Sequence, residues 1–196
     1  GGKAYAIFSL LFGFSFFIQY NNQAKKGKGF RLRFLWRLFL LFLIGCFNGA
    51  FFPGDILVLY AIVGVILPLV CKWSDKAVLI TAVILMLQPV EWAKFLYAMN
   101  NPDYVAAPEQ WLVHHRNMYP FLGQMDFWAM VKSNLWDGQL FSLLWGWGHG
   151  RFFQTASLFL IGMLIGRRQF FVDLSGHRKF WLRTLLISAV CFIPLY

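Results

Sequence analysis

Acidic residues are scarce in this sequence, and charge of either sign is thin. Eight Asp and Glu stand against 18 Lys and Arg, and all charged residues together make up 13% of the 196 positions, about half the roughly 25% of a soluble domain. That shortage excludes a solvated polar exterior of ordinary extent. Cysteine is also rare: Cys46, Cys71 and Cys191 each fall inside or at the edge of an apolar run, with no C-x-x-C pair. A disulfide framework and a thiolate zinc site are therefore not expected, and the three read as small packing residues. The first apolar run, from Ala4, lacks a basic leader and a small-residue cleavage site and is followed by further runs, so it reads as a span and not a signal peptide.

What is abundant is apolar surface. Hydrophobic residues make up 59% of the chain and aromatics 20%, arranged in stretches of helical length without a polar face. A spanning helix needs about 20 mostly apolar residues, and inside a bilayer only internally bonded helices or closed barrels satisfy the backbone. The fold class expected is all-α, a polytopic bundle of about six transmembrane spans. They run over Ala4 to Tyr20, Trp36 to Phe52, Ile56 to Cys71, Ala77 to Phe95, Phe152 to Gly166 and Phe180 to Tyr196. Residues 1–196 form one transmembrane domain with an insertion at 96–150. The start at Gly1-Gly2-Lys3 and the stop within an apolar run at Tyr196 lead us to expect a piece of a longer protein.

The net charge of +10 would raise nucleic acid as a partner for a soluble protein. Here the basic residues sit between apolar runs, a pattern that reports topology and headgroup contact instead, so no nucleic acid is expected. Lys25, Lys26, Lys28, Arg31, Arg33 and Arg37 follow the first span, Lys72 and Lys76 the third, and Arg167, Arg168, Arg178, Lys179 and Arg183 the fifth. Thirteen of the 18 basic residues thus fall on one side. Cytoplasmic loops carry that excess, which puts residue 1 outside the cell membrane.

Between Asn100 and Gly150 the chain is aromatic but interrupted by Asp103, Glu109, His114, His115, Arg116, Asp126, Lys132 and Asp137. Phe127, Val131 and Leu135, with Trp128 and Trp136 beside them, recur at helical spacing, predicting helices that lie at the outer surface. Ser9 with Gly13, and Gly162 with Gly166, are small residues four apart, which predicts close helix approach.

Several residues are candidates for chemistry. Asp55, after the Pro53-Gly54 turn, reads as a helix cap and as a carboxylate at the membrane edge, where such groups are costly and mark sites. Asn48 and Tyr60 flank it in sequence and are expected to share its cavity or to bond between helices. Gln88 and Glu91 are three apart on one helical face around Pro89, and Glu91 either reaches water or adds a second carboxylate. His149, in Trp145-Gly146-Trp147-Gly148-His149, is the candidate base, against an interfacial aromatic belt as the plainer reading. His114 and His115 are adjacent and point apart on a helix, so no metal site is expected. Arg33 and Arg37, in the basic loop with Gly27 and Gly29, are candidates to hold phosphate, or else anchor topology.

The order of motifs carries a resemblance: Gly2-Lys3-Ala4-Tyr5, FSLLFGFSFFIQ from Phe8 to Gln19, RFLWRLFLLFLIG from Arg33 to Gly45, GDILVLYAIVG from Gly54 to Gly64, and LFLIGMLIGRRQFF from Leu158 to Phe171. The sequence resembles the YeiB-like family, domain of unknown function 418, along nearly its whole length. That family is similar in pattern to the transmembrane acyltransferases of the heparan-α-glucosaminide N-acetyltransferase type. The resemblance implies a multi-pass protein of the bacterial inner membrane that moves an acyl group from cytoplasmic acyl-CoA to an extracytoplasmic glycan or lipid acceptor. Two departures matter: the opening D-x-x-R-G-type helix of the family is absent, and Asn48 stands where members often carry histidine. The alternatives are a transporter using Asp55 and Glu91 as proton or substrate sites, and a non-catalytic membrane partner.

Overall fold

The computed structural model describes residues 2–27, 29–101, 109–122, 126–171 and 178–195, and side chains within that set except at the two ends, at Tyr119, and at Phe121 and Leu122. The described chain is helical throughout, with no strand among these residues. In order the helices are α1 (Gly2–Lys25), α2 (Arg31–Gly49), α3 (Leu57–Gly64), α4 (Ile66–Val70), α5 (Asp75–Met86), α6 (Pro89–Asn100), α7 (Trp111–Leu122) and α8 (Phe127–Ser133). A π-helical turn (Asn134–Gly138) then leads into α9 (Gln139–Gly148), α10 (Arg151–Arg167) and α11 (Arg178–Leu195). The all-α expectation stands.

The expected number of spans does not. Among the described residues, two helices are long and apolar enough to cross a membrane, Ala4–Lys25 and Arg31–Gly49, and the bent pair Asp75–Met86 and Pro89–Asn100 makes a third if it counts as one span. Proline explains the two interrupted runs. Pro68 has no N–H for the Gly64 carbonyl, and the third run divides there into α3 and α4. Pro89 opens α6 at its first position, Gln88 before it is left-handed with φ 51°, and the axis bends by 42°. Gln88 and Glu91 therefore do not share one uninterrupted helical face. α10 has 17 residues, and α11 carries Arg178, Lys179 and Arg183. Tyr196, the end of the sixth expected run, lies outside the described residues, as do Lys28 and Asp103.

α10 is the axis of the bundle. It packs on α1 and α5 and touches α3, α4 and α9. Its Thr155, Ala156, Ser157, Phe159, Leu160 and Met163 are buried. The small-residue pairs of α1 and α10 meet each other: a Cβ added to Gly13 would collide with the Phe159 carbonyl, and one added to Gly162 with the Leu10 carbonyl. Ser9, one turn before Gly13, is fully buried. Close backbone approach of this kind is how helices associate where no hydrophobic force separates them from lipid. Around the crossing, Phe12 stacks on Phe159 with centroids 4.5 Å apart, and Phe16 meets Phe34 edge-on at 4.6 Å.

The outward surface carries many large apolar side chains. Phe8, Trp36, Phe47, Leu69 and Ile80 are all exposed, and a soluble protein rarely leaves so much contiguous apolar surface uncovered. The two spanning-length helices and this exterior are consistent with a bilayer around the bundle.

The bundle has two chemically different ends. At one, α1 finishes and α2 and α5 begin. There Arg31 donates to the Cys71 sulfur at 3.7 Å. Arg167 donates to the carbonyls of Cys71 and Trp73 at 2.7 and 2.8 Å and to Asp75 at 3.0 Å. At the other end lie Tyr5, the Asn48–Asp55 turn and the start of α10, joined through Tyr5 to Arg151 and Thr155. The 127–148 segment docks on this second end. Asn134 donates to the Ala50 carbonyl at 3.1 Å, Gln139 to that of Cys46 at 3.3 Å, and Ser142 to that of Asp55 at 3.3 Å.

Candidate functional site

Two pockets stand at the opposite ends of the bundle. The first, of about 480 Å³, is built on Asp55. Pro53 and Gly54 turn the chain after α2, Gly54 at φ 132°, and the turn leaves Asp55 just ahead of α3. One carboxylate oxygen, Oδ1, accepts from the Leu57 amide at 3.1 Å, although the cap position itself is held by Ile56, one residue beyond the one expected. The other, Oδ2, is buried without a hydrogen-bond partner among the described residues. A buried polar atom in that state costs about 1–3 kcal/mol.

The wall opposite comes from three elements. Tyr5 belongs to α1, Phe141, Ser142 and Trp145 to α9, and Arg151 opens α10. The Arg151 guanidinium lies 5.0 Å from the centroid of the Tyr5 ring and 5.7 Å from that of Trp145, and donates to Gln154 at 3.2 Å. Among the described residues no carboxylate comes within 4.0 Å of it. The cavity thus has Asp55 in one wall, its free oxygen turned away from the opening, the Arg151 guanidinium in another, and aromatic rings beside it.

Of the five residues expected to form this site, Asp55 alone lines the cavity. Tyr60 lies beneath it, buried, its hydroxyl 2.7 Å from that of Ser9 and donating to the Tyr5 carbonyl at 3.1 Å. It supports Tyr5, and their rings meet edge-on at 5.9 Å. Asn48 is exposed on the last turn of α2. Glu91 pairs with Lys94 at 2.8 Å and lines a separate recess with Gln88, Trp92 and Phe95. His149 is exposed and stacks on Trp145 at 4.3 Å. Its Nδ1 lies 2.8 Å from the Trp145 carbonyl and donates to it. His149 thus adjoins one wall of the cavity from outside.

Tyr5, Ser142 and Arg151 were not singled out from sequence. Arg151 is one of the five basic residues that do not fall with the other thirteen. The signal available was its place as the first residue of an apolar helix, one turn before Thr155, where a cation opposes the helix dipole and needs a reason to stay.

The second pocket, about 390 Å³, lies at the other end between the last turns of α1 and the first of α2. It is lined by Gln19, Asn22, Gln23, Lys26, Arg33 and Arg37 together with Phe30. Here the expected pair does converge: Arg33 donates to Gln23 at 3.4 Å, and Arg37 donates to Gln19. Their spacing of four places both on one face of α2. No carboxylate pairs with either among the described residues.

His114 belongs to neither pocket. Its Nδ1 is 2.8 Å from Asp137, which also accepts from Asn117 at 3.2 Å, joining α7 to the π-helical turn. His115 packs its ring on Phe141 at 5.3 Å. Among the described residues, no group of three His, Cys, Asp or Glu side chains is placed to hold a metal ion.

No family model matches this chain, and no solved structure matches it. It is similar to the uncharacterized protein YxaH of Bacillus subtilis (strain 168), 38% identical over 86 residues, which is 43% of this chain and 21% of that protein. It is also similar to an uncharacterized 39.9 kDa protein in the amylase 3' region of Bacillus acidopullulyticus, 34% identical over 85 residues, 43% of this chain and 25% of that protein. The matched stretches span about a fifth to a quarter of these relatives' length.

Proposed function

We propose that this chain belongs to a multi-pass acyltransferase-like protein of the bacterial inner membrane, with the basic end in the cytosol and the Asp55 end facing out. The YeiB-like resemblance suggests the reaction. The observation that carries the reading is the pairing of two pockets on one bundle, a cationic one at Arg33 and Arg37 and one with Asp55 and Arg151 in its walls. Arg33, Arg37 and Lys26 hold the phosphates of acyl-CoA by charge-assisted hydrogen bonds, and the Asp55 cavity holds a glycan or lipid acceptor.

In the transfer, the C–S bond of the thioester breaks and a bond forms between the acyl carbon and an acceptor oxygen or nitrogen. The acceptor's proton passes to the Asp55 carboxylate or to His149, and coenzyme A leaves as the thiolate, which takes a proton from water. Tyr5 and Gln19 are 14 residues apart on α1, roughly 21 Å at 1.5 Å per residue. The acyl group must cover that distance along the pantetheine arm or on an intermediate carrier. The helices of the 127–148 segment, with Phe127, Trp128 and Trp136 exposed, lie at the outer interface in this arrangement, as aromatic belts do.

The transporter reading takes Asp55 and Glu91 as proton or substrate sites, and these two residues line separate pockets. Radiolabelled acyl-CoA incubated with the purified full-length protein and membrane lipids or glycans tests the proposal. Label passing to an acceptor supports it. Absence of transfer, together with proton-coupled uptake in liposomes, gives the transporter instead.

A further inference from the structure

A further recess of about 420 Å³ opens at the basic end of the bundle, with Arg31 and Lys72 in its walls. We infer that it holds the phosphate of an anionic phospholipid from the adjoining leaflet, and that Arg31 and Lys72 are the cations that select it. The inference goes beyond the acyl-transfer reading, which uses neither residue.

Two segments far apart in sequence bring these cations to one recess. Arg31 opens α2, and Lys72 lies in the turn between α4 and α5. The Arg31 guanidinium donates to the Cys71 sulfur at 3.7 Å, which sets it against the residue next to Lys72. That turn is itself held, because Arg167 donates to the carbonyls of Cys71 and Trp73, on either side of Lys72, at 2.7 and 2.8 Å. Phe30 is buried and fixes the start of α2 against α1, its ring meeting those of Phe16 and Tyr20 at 5.4 and 5.9 Å. The protein's own contacts therefore build both sides of the recess.

The charge there is uncompensated. Among the described residues no carboxylate comes within 4.0 Å of Arg31 or Lys72, and Asp75 pairs with Arg167 and Arg168 at 3.0 and 3.6 Å. A thiol sulfur is a weak acceptor and a guanidinium carries five N–H donors, so the Cys71 contact leaves most of the capacity of Arg31 unused. Two like charges lining one recess at a membrane surface repel, and an anion bound there relieves that repulsion.

The walls decide which anion. The Arg33 and Arg37 pocket is lined by Gln19, Asn22 and Gln23, polar groups that suit a water-soluble phosphate. The Arg31 recess shares Phe30 with it, but its remaining walls are Tyr20, Ala24, Gly29 and Leu32. Leu32 is 81% exposed, and Trp36, one turn further on the same face of α2, is 60% exposed. In a bilayer those two side chains meet acyl chains, so a phosphate at Arg31 and Lys72 has apolar surface beside it for the tails of its own molecule. Tyr20 adds an aromatic ring with a polar tip, the kind that collects at headgroup level. Basic pockets between membrane helices bind anionic headgroups in this way.

The test uses full-length protein stripped of lipid in a neutral detergent, with binding followed by native mass spectrometry. The probes are phosphatidylglycerol, phosphatidylcholine with the same chains, and glycerol 3-phosphate, which carries the phosphate without tails. Phosphatidylglycerol should bind about 10-fold or more tightly than either of the others. Lys72→Gln, at an exposed position, should weaken it about 3-fold, and Arg31→Gln with Lys72→Gln should abolish the preference over phosphatidylcholine. Arg31→Lys with Lys72→Arg keeps both charges and should keep the preference, as should Arg33→Gln with Arg37→Gln. Phosphatidylglycerol binding no better than phosphatidylcholine overturns the inference, as does a preference untouched by Lys72→Gln and by the charge-free pair. Glycerol 3-phosphate binding as tightly as the lipid overturns it in favour of a soluble ligand. An equal loss in the Arg33 and Arg37 pair, or in the charge-keeping pair, overturns it by showing that these two cations do not define the site. Acyl-CoA is absent throughout, so a failure of acyl transfer and a failure of this inference are separate results.

Discussion

Gly13 of α1 lies against the carbonyl of Phe159 in α10, with no room for even a methyl group between them. The Gly162 contact with the Leu10 carbonyl repeats the relationship one step along the same crossing. Everything at the Asp55 end depends on it, because Tyr5 reaches Thr155 and the start of α10 only while these two helices are in contact.

Replacing Gly13 or Gly162 by leucine should therefore separate α1 from α10. The obstacle is backbone, which cannot rotate away, so the loss should reach or exceed the roughly 1–3 kcal/mol of ordinary overpacking. Gly29→Ala, where nothing lies within 4 Å, should be close to neutral. Thermal unfolding in detergent compares the three.

Tyr60 should contribute through its hydroxyl and not through acid–base chemistry. Tyr60→Phe removes the bonds to Ser9 and the Tyr5 carbonyl and should cost about 1 kcal/mol, with Ser9→Ala adding little on top. A double-mutant cycle measures that coupling. A coupling near zero would show that the Ser9 contact has no energetic weight.

At the basic end, Arg167 should matter more than its acidic partner. It satisfies two backbone carbonyls as well as Asp75, and its side chain is 14% exposed where that of Asp75 is 39%. Arg167→Met should cost about 1.5–3 kcal/mol, the value of hydrogen bonds to a charged group, and Asp75→Asn no more than about 1 kcal/mol. Denaturation of the two variants in the same detergent gives the order, and the reverse order would mean the carbonyl bonds are not what holds Arg167.

These expectations draw on features of unequal visibility in the sequence. The helical class and the crowding of basic residues at one end followed from run length and charge, because both are averages over many residues. Ser9-Gly13 and Gly162-Gly166 announced close approach, although nothing in the spacing said that the two motifs face each other. The prolines at 68 and 89 were visible, but their effect on span number was not, since a membrane helix tolerates proline when neighbours satisfy the freed carbonyl. Arg33 and Arg37 could be paired from their spacing alone. The Asp55 cavity could not, because Tyr5, Ser142 and Arg151 come from three helices far apart in sequence. Only the α1–α10 crossing and the docking of α9 bring them to Asp55.

In the acyl-CoA binding step, Arg33→Gln and Arg37→Gln should each weaken affinity about 10-fold, corresponding to about 1.4 kcal/mol, while Asp55→Asn leaves it unchanged and reduces transfer. Equilibrium binding of labelled acyl-CoA to the full-length protein separates the two effects. Loss of binding in Asp55→Asn would mean that the two pockets are not independent.

The most direct test of the whole arrangement is the sidedness of the two ends. With Cys46, Cys71 and Cys191 replaced by serine or alanine, single cysteines are introduced at Phe52, beside the Asp55 turn, and at Lys72, beside the basic end. A membrane-impermeant maleimide is then added to intact cells whose outer membrane has been made permeable. The account predicts labelling at position 52 and protection at position 72 until the inner membrane is broken. Labelling at 72 in intact cells, with 52 protected, would contradict it.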